Sequence, residues 1–317
     1  MLTDQPYYTY QIESKGLLYE AKINGVIIHR DLEGRQIVTE EPINYFMRSG
    51  KNRIALTLYP WEEERYDGGS ITVSLYLNKY GESDSGKVLI GQIAFDSNAL
   101  VGDEAEAIVN QQGIDLSMPP VKLDSKNRLQ RDDENGDVVV HPARIEPIVA
   151  LAEGTYLYQD IELEVPFPRW GYLDAELIEF PDSFEEYRSN IDYYDKHLGD
   201  PLYEVHKQLF EQLKSGDVEG FASHFKERIH ETAIALYSDE DELMEDFKKG
   251  LKANLSDPDY VVRLKETKVA RPSVSDDKRL VKLGGSSMIQ FYDEKNSIYS
   301  HYPIRFYKKD GKWIISR

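Results

Sequence analysis

The sequence predicts two domains, an all-β sandwich or jelly roll over residues 1–172 and an α+β domain over residues 173–317. Three observations carry this. The chain has 317 residues, more than one ordinary domain holds. Up to about residue 169, apolar residues alternate in short runs bounded by turn residues, which is the period of strands. From residue 201 the apolar spacing becomes helical, and after Asp257-Pro258 it falls back to two. Irregular chain through PFPRWGY and LDAELIEFPDS puts a linker at about 170–183.

The first-half strands follow in order. TYQIES alternates, and LLYEAKINGVIIHRD folds back at Asn24-Gly25, a pair suited to a type I′ turn because both central residues need positive φ. INYFMRSGKNRIALTLYP, residues 43–60, reads as a framework hairpin with a tight turn at Ser-Gly-Lys-Asn. Its strand is predicted half-buried, with Ile54, Leu56 and Leu58 on one face and Arg53, Ala55, Thr57 and Tyr59 on the other, stopped by Pro60. SITVSLYL, KVLIGQIAF, DVVVHPARI and TYLYQDIELEV are further strands, and Asn135-Gly136 is another hairpin turn. Many short strands with regular turns mean a sandwich or jelly roll.

INGV at 23–26 followed by PINYFMRSGKNRIALTL at 42–58 resembles the galactose-binding-like β-sandwich of many glycoside hydrolases and cell-surface proteins. The resemblance implies the sandwich fold and, through loop aromatics, sugar binding. Trp61 and Trp170 are the candidate ligand-binding platforms; the alternative is that each packs at a sheet edge. Asp132, Asp133, Glu134 and Asp137 cluster as Ca²⁺ ligands would, but lack the EF-hand spacing, and acidic flanks of an Asn-Gly turn account for them more simply. Neither a metal nor a cofactor is expected.

In the second half, PLYEVHKQLFEQLKSG is a helix with Pro201 in its first turn, an apolar stripe of Leu202, Val205, Leu209 and Leu213, and Gly216 as its stop. Asp217 caps a second helix that carries Val218, Phe221, Ala222, Phe225, Ile229, Ala233 and Leu236 at helical spacing. A third starts at Ser238 and buries Leu243, Met244, Phe247 and Leu251. YVVRLKE, RLVKLGG, SMIQFYDE and SIYSHYPIRFYKKDGKWIIS are strands. A two-residue Asp310-Gly311 loop in the last pairs Tyr307 with Ile314, Phe306 with Ile315 and Lys308 with Trp313. Helices followed by antiparallel strands make an α+β domain. QLKSGDVEGFASHF at 212–225 and the closing FYKKDGKWIIS at 306–316 resemble the nuclear-transport-factor-2-like superfamily, also called SnoaL-like. That resemblance implies a cone of helices on a curved sheet, used as an enzyme pocket by some members and for docking by others.

The cavity candidates are His206, on the apolar stripe of its helix, and His301 with Arg305, which share one strand face with Tyr299 and Tyr307. His206 is either a pocket base or a satisfied core residue, and the 301–305 patch is either polar lining or a solvated sheet face. His224 and His230, six residues apart, do not align on one helix face for a metal. No Ser-His-Asp set, paired carboxylates, GxGxxG or phosphate loop stands out.

With 57 acidic and 38 basic residues the formal charge is −19, which repels phosphate backbones and argues against nucleic acid. Zero cysteines remove disulfides, thiolate catalysis and Cys-based zinc sites. The N-terminus has no signal-peptide pattern, and no run approaches the about eighteen apolar residues of a membrane span, so the chain reads as soluble and cytoplasmic as written. Removal of a leader would make it periplasmic or secreted. The leading functional expectation is a non-catalytic interaction protein: the 22 tyrosines suit interfaces, and the acidity suits a basic protein partner. One version is an immunity-type protein that neutralises a basic bacterial toxin. Behind it stand a carbohydrate-binding protein acting through the sandwich, and a small-molecule lyase, isomerase or carrier acting through the cone.

Overall fold

The structure is a computed structural model that describes residues 5–60, 68–97, 121–123, 129–131, 138–141, 144–148, 154–182, 184–267, 270–284, 287–293, 295–296 and 298–317. The chain divides into two compact units, Met1–Arg169 and Trp170–Arg317.

The first unit is built of antiparallel strands. β1 (Pro6–Lys15) is flanked by β4 (Ile37–Pro42) and β6 (Ser70–Lys79), and β7 (Val88–Asp96) pairs with β6. The second sheet runs β3 (Val26–Asp31), β2 (Leu18–Ile23), β5 (Gly50–Tyr59), β12 (Gly154–Leu163), β10 (Val138–Val140), β8 (Val121–Leu123) and β9 (Leu129–Arg131). β11 (Arg144–Ile148) also pairs with β12. Burial is deepest on the central strands: Tyr8, Tyr10 and Ile12 of β1 and Ile71, Val73, Leu75 and Leu77 of β6 are all buried, as are Ile54, Leu56, Leu58, Leu157 and Ile161 of the other sheet. β7 lies against β12. A Cβ at Gly91 would stand 2.4 Å from the Ile161 Cδ1, so any larger residue would have to push that side chain aside. Where β7 bulges, Gln92 N–H donates to Gln159 Oε1 at 2.8 Å. The β2–β3 turn is the expected one, with φ of 50° at Asn24 and 80° at Gly25.

Residues 43–60 differ from the expectation. β4 belongs to one sheet and β5 to the other, so the stretch crosses between sheets rather than forming a hairpin. Amides hold the crossing. Asn44 Oδ1 accepts from Tyr8 N at 2.6 Å, and its Nδ2 donates to Pro6 O at 3.0 Å. Asn24 Nδ2 donates to Phe46 O (2.8 Å) and to Asn52 Oδ1 (3.0 Å), while Asn52 Nδ2 donates to Arg48 O (2.7 Å). Buried backbone that leaves one ladder before joining another needs such partners. β5 is also buried on both faces, because it is central; Arg53 covers its outer face by lying 3.9 Å over the Tyr158 ring. The predicted turn at Asn135-Gly136 falls outside the described residues.

In the second unit the helices are α1 (Phe184–Ser189), α2 (Ile191–Tyr194), α3 (Asp200–Lys214), α4 (Val218–Ser223), α5 (Lys226–Ala235) and α6 (Glu240–Ser256). A π turn, Asp195–Gly199, joins α2 to α3. The predicted second helix is two, broken at Phe225 (φ −97°, ψ 5°), although Asp217 caps the first as expected, its Oδ1 accepting from Gly220 N at 2.9 Å. α6 is capped by Asp239 rather than Ser238. The strands form two antiparallel sheets. One runs β13 (Tyr260–Leu264), β16 (Ile289–Asp293), β17 (Ile298–His301); the other runs β14 (Pro272–Val274), β15 (Val281–Leu283), β18 (Phe306–Lys309), β19 (Lys312–Ile315). The final hairpin has the predicted register, Tyr307 to Ile314, Phe306 to Ile315 and Lys308 to Trp313. Leu202, Leu209, Leu213, Phe221, Phe225, Leu251, Phe291 and Phe306 form the core between helices and strands. Residues 170–178, expected in a linker, are packed: Trp170, Tyr172, Leu173, Ala175 and Ile178 are buried, and Glu176 N and Ile178 N donate to Lys308 O and Lys278 O.

Candidate functional site

The charge of the second unit is unevenly spread. Residues 170–247 hold 21 acidic and 6 basic residues, a net −15, whereas residues 248–317 hold 8 acidic and 16 basic, a net +8. Part of this is neutralised internally. Lys278 pairs with Asp182 (2.7 Å), Lys308 with Glu176 (3.8 Å), Lys248 with Glu219 (2.8 Å), and Arg317 with Glu231.

Between Glu176 and Asp182 the pattern breaks off. Among the described residues neither Glu179 nor Asp192 takes part in an ion pair, and both are exposed. The ring of Tyr193, a residue 42 % exposed, stands beside them. His197, one helical turn on, stacks against that ring at 4.2 Å, and its Nδ1 lies 2.8 Å from Tyr193 O. The Tyr193 hydroxyl donates to Glu179 Oε1 at 3.2 Å, and this bond raises the phenol's pKa. Beneath lie Phe180, Tyr187 and Tyr194, with ring centroids 5.3–5.9 Å apart. Leu177, 67 % exposed, belongs to the same acid-rich stretch.

The π turn carries the helical backbone from α2 into α3 without a break. Its first residue, Asp195, is half-buried near Tyr187, and burial holds its carboxyl above the usual carboxylate range against the pull of Arg271. Burial likewise raises Tyr187, with the Asp195 charge adding to it.

The sequence-predicted residues lie elsewhere. His206 is buried on α3, its Nδ1 2.8 Å from Leu202 O and its ring edge-on to Phe306 at 5.3 Å; burial pushes its pKa down to about 4. It is a neutral imidazole committed to its own helix. His301 and Arg305 do not share a strand. His301 ends β17, opposite Gln290, and its side chain falls outside the described residues. Arg305 precedes β18 in the other sheet, bonded through its backbone to Arg317 and Ser316. Pro303, which has no N–H to give a ladder, stands between them. Tyr307 is buried, its hydroxyl on Glu227 Oε1 at 3.2 Å.

Trp170 is 1 % exposed, with the Arg317 guanidinium 5.5 Å from its ring, and so has no open face for a sugar. Trp61 and the acidic group Asp132, Asp133, Glu134 and Asp137 fall outside the described residues. His230 pairs with Glu240 at 2.7 Å, apart from His224 at the end of α4. Among the described residues no group of His, Asp and Glu is arranged to hold a metal, and no helix is long and apolar enough to cross a membrane.

Sequence reasoning missed Tyr193, His197 and Glu179. The interleaving of acids and tyrosines in FEEYRSNIDYYDKHLG was the available signal. No family model, no curated protein and no solved structure matches the chain.

Proposed function

We propose that this chain is a non-catalytic binding protein and that the acidic, tyrosine-bearing surface around Glu179 and Tyr193 of its second unit docks a basic protein partner. The observation that carries the reading is the excess of 21 acidic over 6 basic residues across 170–247, in a stretch where Tyr193 and Leu177 stand exposed. The carboxylates would orient a cationic partner and speed its approach, and the ring would supply the desolvated contact on which interface affinity concentrates. Neutralisation of a basic toxin, in the manner of an immunity protein, is the same contact with a toxin as partner.

The fold readings fit this role. Two sheets in contact through β7 and β12 support a sandwich of the galactose-binding-like kind. Helices followed by antiparallel strands support a nuclear-transport-factor-2-like second unit. Its interior is taken up by rings: Phe221, Phe225, Phe247, Tyr302 and Phe291 follow one another at 4.9–6.0 Å. A lyase, isomerase or carrier would need that space. Carbohydrate recognition by the first unit has less support, since cations already lie over Tyr76 (Lys87), Tyr156 (Lys22) and Tyr158 (Arg53).

The test is retention of proteins from lysate on the immobilised chain at low and moderate salt. A basic protein is expected to be held at low salt, released at moderate salt, and held less well by Tyr193→Ala. The absence of any salt-sensitive partner would overturn the reading.

A further inference from the structure

We infer that the pair Tyr193–Glu179 takes an arginine side chain of the partner in preference to a lysine. The inference rests on the docking reading above and gives the partner a chemistry.

The chain contains a filled example of the same arrangement. The Arg53 guanidinium lies 3.9 Å from the centroid of the Tyr158 ring, while its Nε and Nη2 donate to Asp160 Oδ1 (2.7 Å) and Oδ2 (2.9 Å). A second guanidinium, that of Arg263, lies 4.1 Å over Tyr292. A planar fork can stack on a ring and grip a carboxylate with two parallel bonds at once. An ammonium can also touch both, as Lys87 does with the Tyr76 ring and Glu40, but as a point charge it brings no flat face to the ring and no fork to the carboxylate.

At Tyr193 and Glu179 the ring and the carboxylate are present, and among the described residues no cation is paired with them. Glu179 Oε1 is fixed beside the ring by the Tyr193 hydroxyl, which leaves Oε2 as an acceptor. The neighbouring cations are spent on the carboxylates either side, Lys308 on Glu176 and Lys278 on Asp182. His197 stacks on the Tyr193 ring and the Tyr194 ring stands at right angles to it at 5.2 Å, so the guanidinium takes the part of the ring that stays exposed. Asp192, next to Tyr193 in sequence, adds negative charge to the site.

The experiment is titration of the full chain with deca-arginine and with deca-lysine peptides of matched length, at two salt concentrations. The variants are Tyr193→Ala and Glu179→Gln, both at exposed positions that leave the core intact. Deca-arginine is expected to bind about three- to fivefold more tightly than deca-lysine, the range set by an exposed cation–ring contact. Tyr193→Ala should bring the arginine peptide down to the lysine value, and Glu179→Gln should weaken the arginine peptide more than the lysine one. Equal, salt-sensitive binding of both peptides would overturn the arginine preference and leave the docking reading standing. A preference that survives Tyr193→Ala would also overturn it, by placing the contact elsewhere. Binding of neither peptide would overturn both.

Discussion

Replacing Glu231 by glutamine removes one partner of a buried ion pair. Glu231 on α5 and Arg317 after β19 are 4 % and 5 % exposed. Besides the arginine, Glu231 accepts from Gly171 N at 2.7 Å and from Ser316 Oγ at 3.3 Å. The guanidinium lies over the rings of Trp170 and Tyr172 at 5.5 and 5.0 Å. With a neutral amide at 231, Arg317 keeps its burial and loses the Glu231 charge. Breaking such a pair from one side costs about 3–5 kcal/mol, most of it the burial of the charge left behind. In a unit of this size that lowers Tm by about 6–20 °C. Urea unfolding of the full chain measures the cost, with tryptophan fluorescence as the probe because Trp170 lies beneath the pair. Arg317→Met should cost a similar amount, and the double variant Glu231→Met/Arg317→Met much less than the two together, because no lone charge remains. A loss under about 1 kcal/mol for Glu231→Gln, with additive single variants, would refute the reasoning, since it would mean that water already reaches the pair.

Two further effects follow. Asn52→Ala removes bonds to Arg48 N, Arg48 O and Asn24 at the sheet crossing and should cost about 2–4 kcal/mol in urea unfolding of the first unit; a loss below about 0.5 kcal/mol would show that the amides do not hold it. Asp195→Asn should stabilise the chain at neutral pH. The folded-state carboxyl is raised, so the wild type loses stability as pH climbs from the unfolded-state pKa through the folded one, while the variant does not. The gap in Tm should open with rising pH over that window and then stay level; a gap of opposite sign would mean that the Asp195 charge is held favourably by Arg271.

The legible parts of the fold were those that depend on a residue's own backbone demands. Asn24-Gly25 and Asp310-Gly311 need positive φ, and both make the expected hairpin; the second has the predicted register, while the first shifts register between Ala21 and Lys22. Gly50, with φ 85°, made the same kind of signal, but a left-handed residue does not say which sheet receives the next strand. That depends on distant amides, so the crossing at 43–49 was read as a hairpin. Periodicity failed in a related way where it ran across a break. Apolar spacing continues through Phe225 although the helix does not, and strand alternation continues through Pro303 although the ladder does not. Sequence counted the acids and tyrosines but could not gather them. Tyr193 and His197 meet on an exposed helical face that no apolar period marks, and Glu179 reaches Tyr193 from the chain before α1.

The amide knot at the sheet crossing also sets how the first unit would age. Asn24 precedes a glycine, whose bare backbone nitrogen attacks a neighbouring amide more readily than that of any bulkier residue. Deamidation there would exchange the Nδ2 donor for a carboxylate oxygen facing Phe46 O and Asn52 Oδ1, two acceptors with no proton to offer. One slow hydrolysis at this buried turn would thereby turn attraction into repulsion at the joint between two sheets.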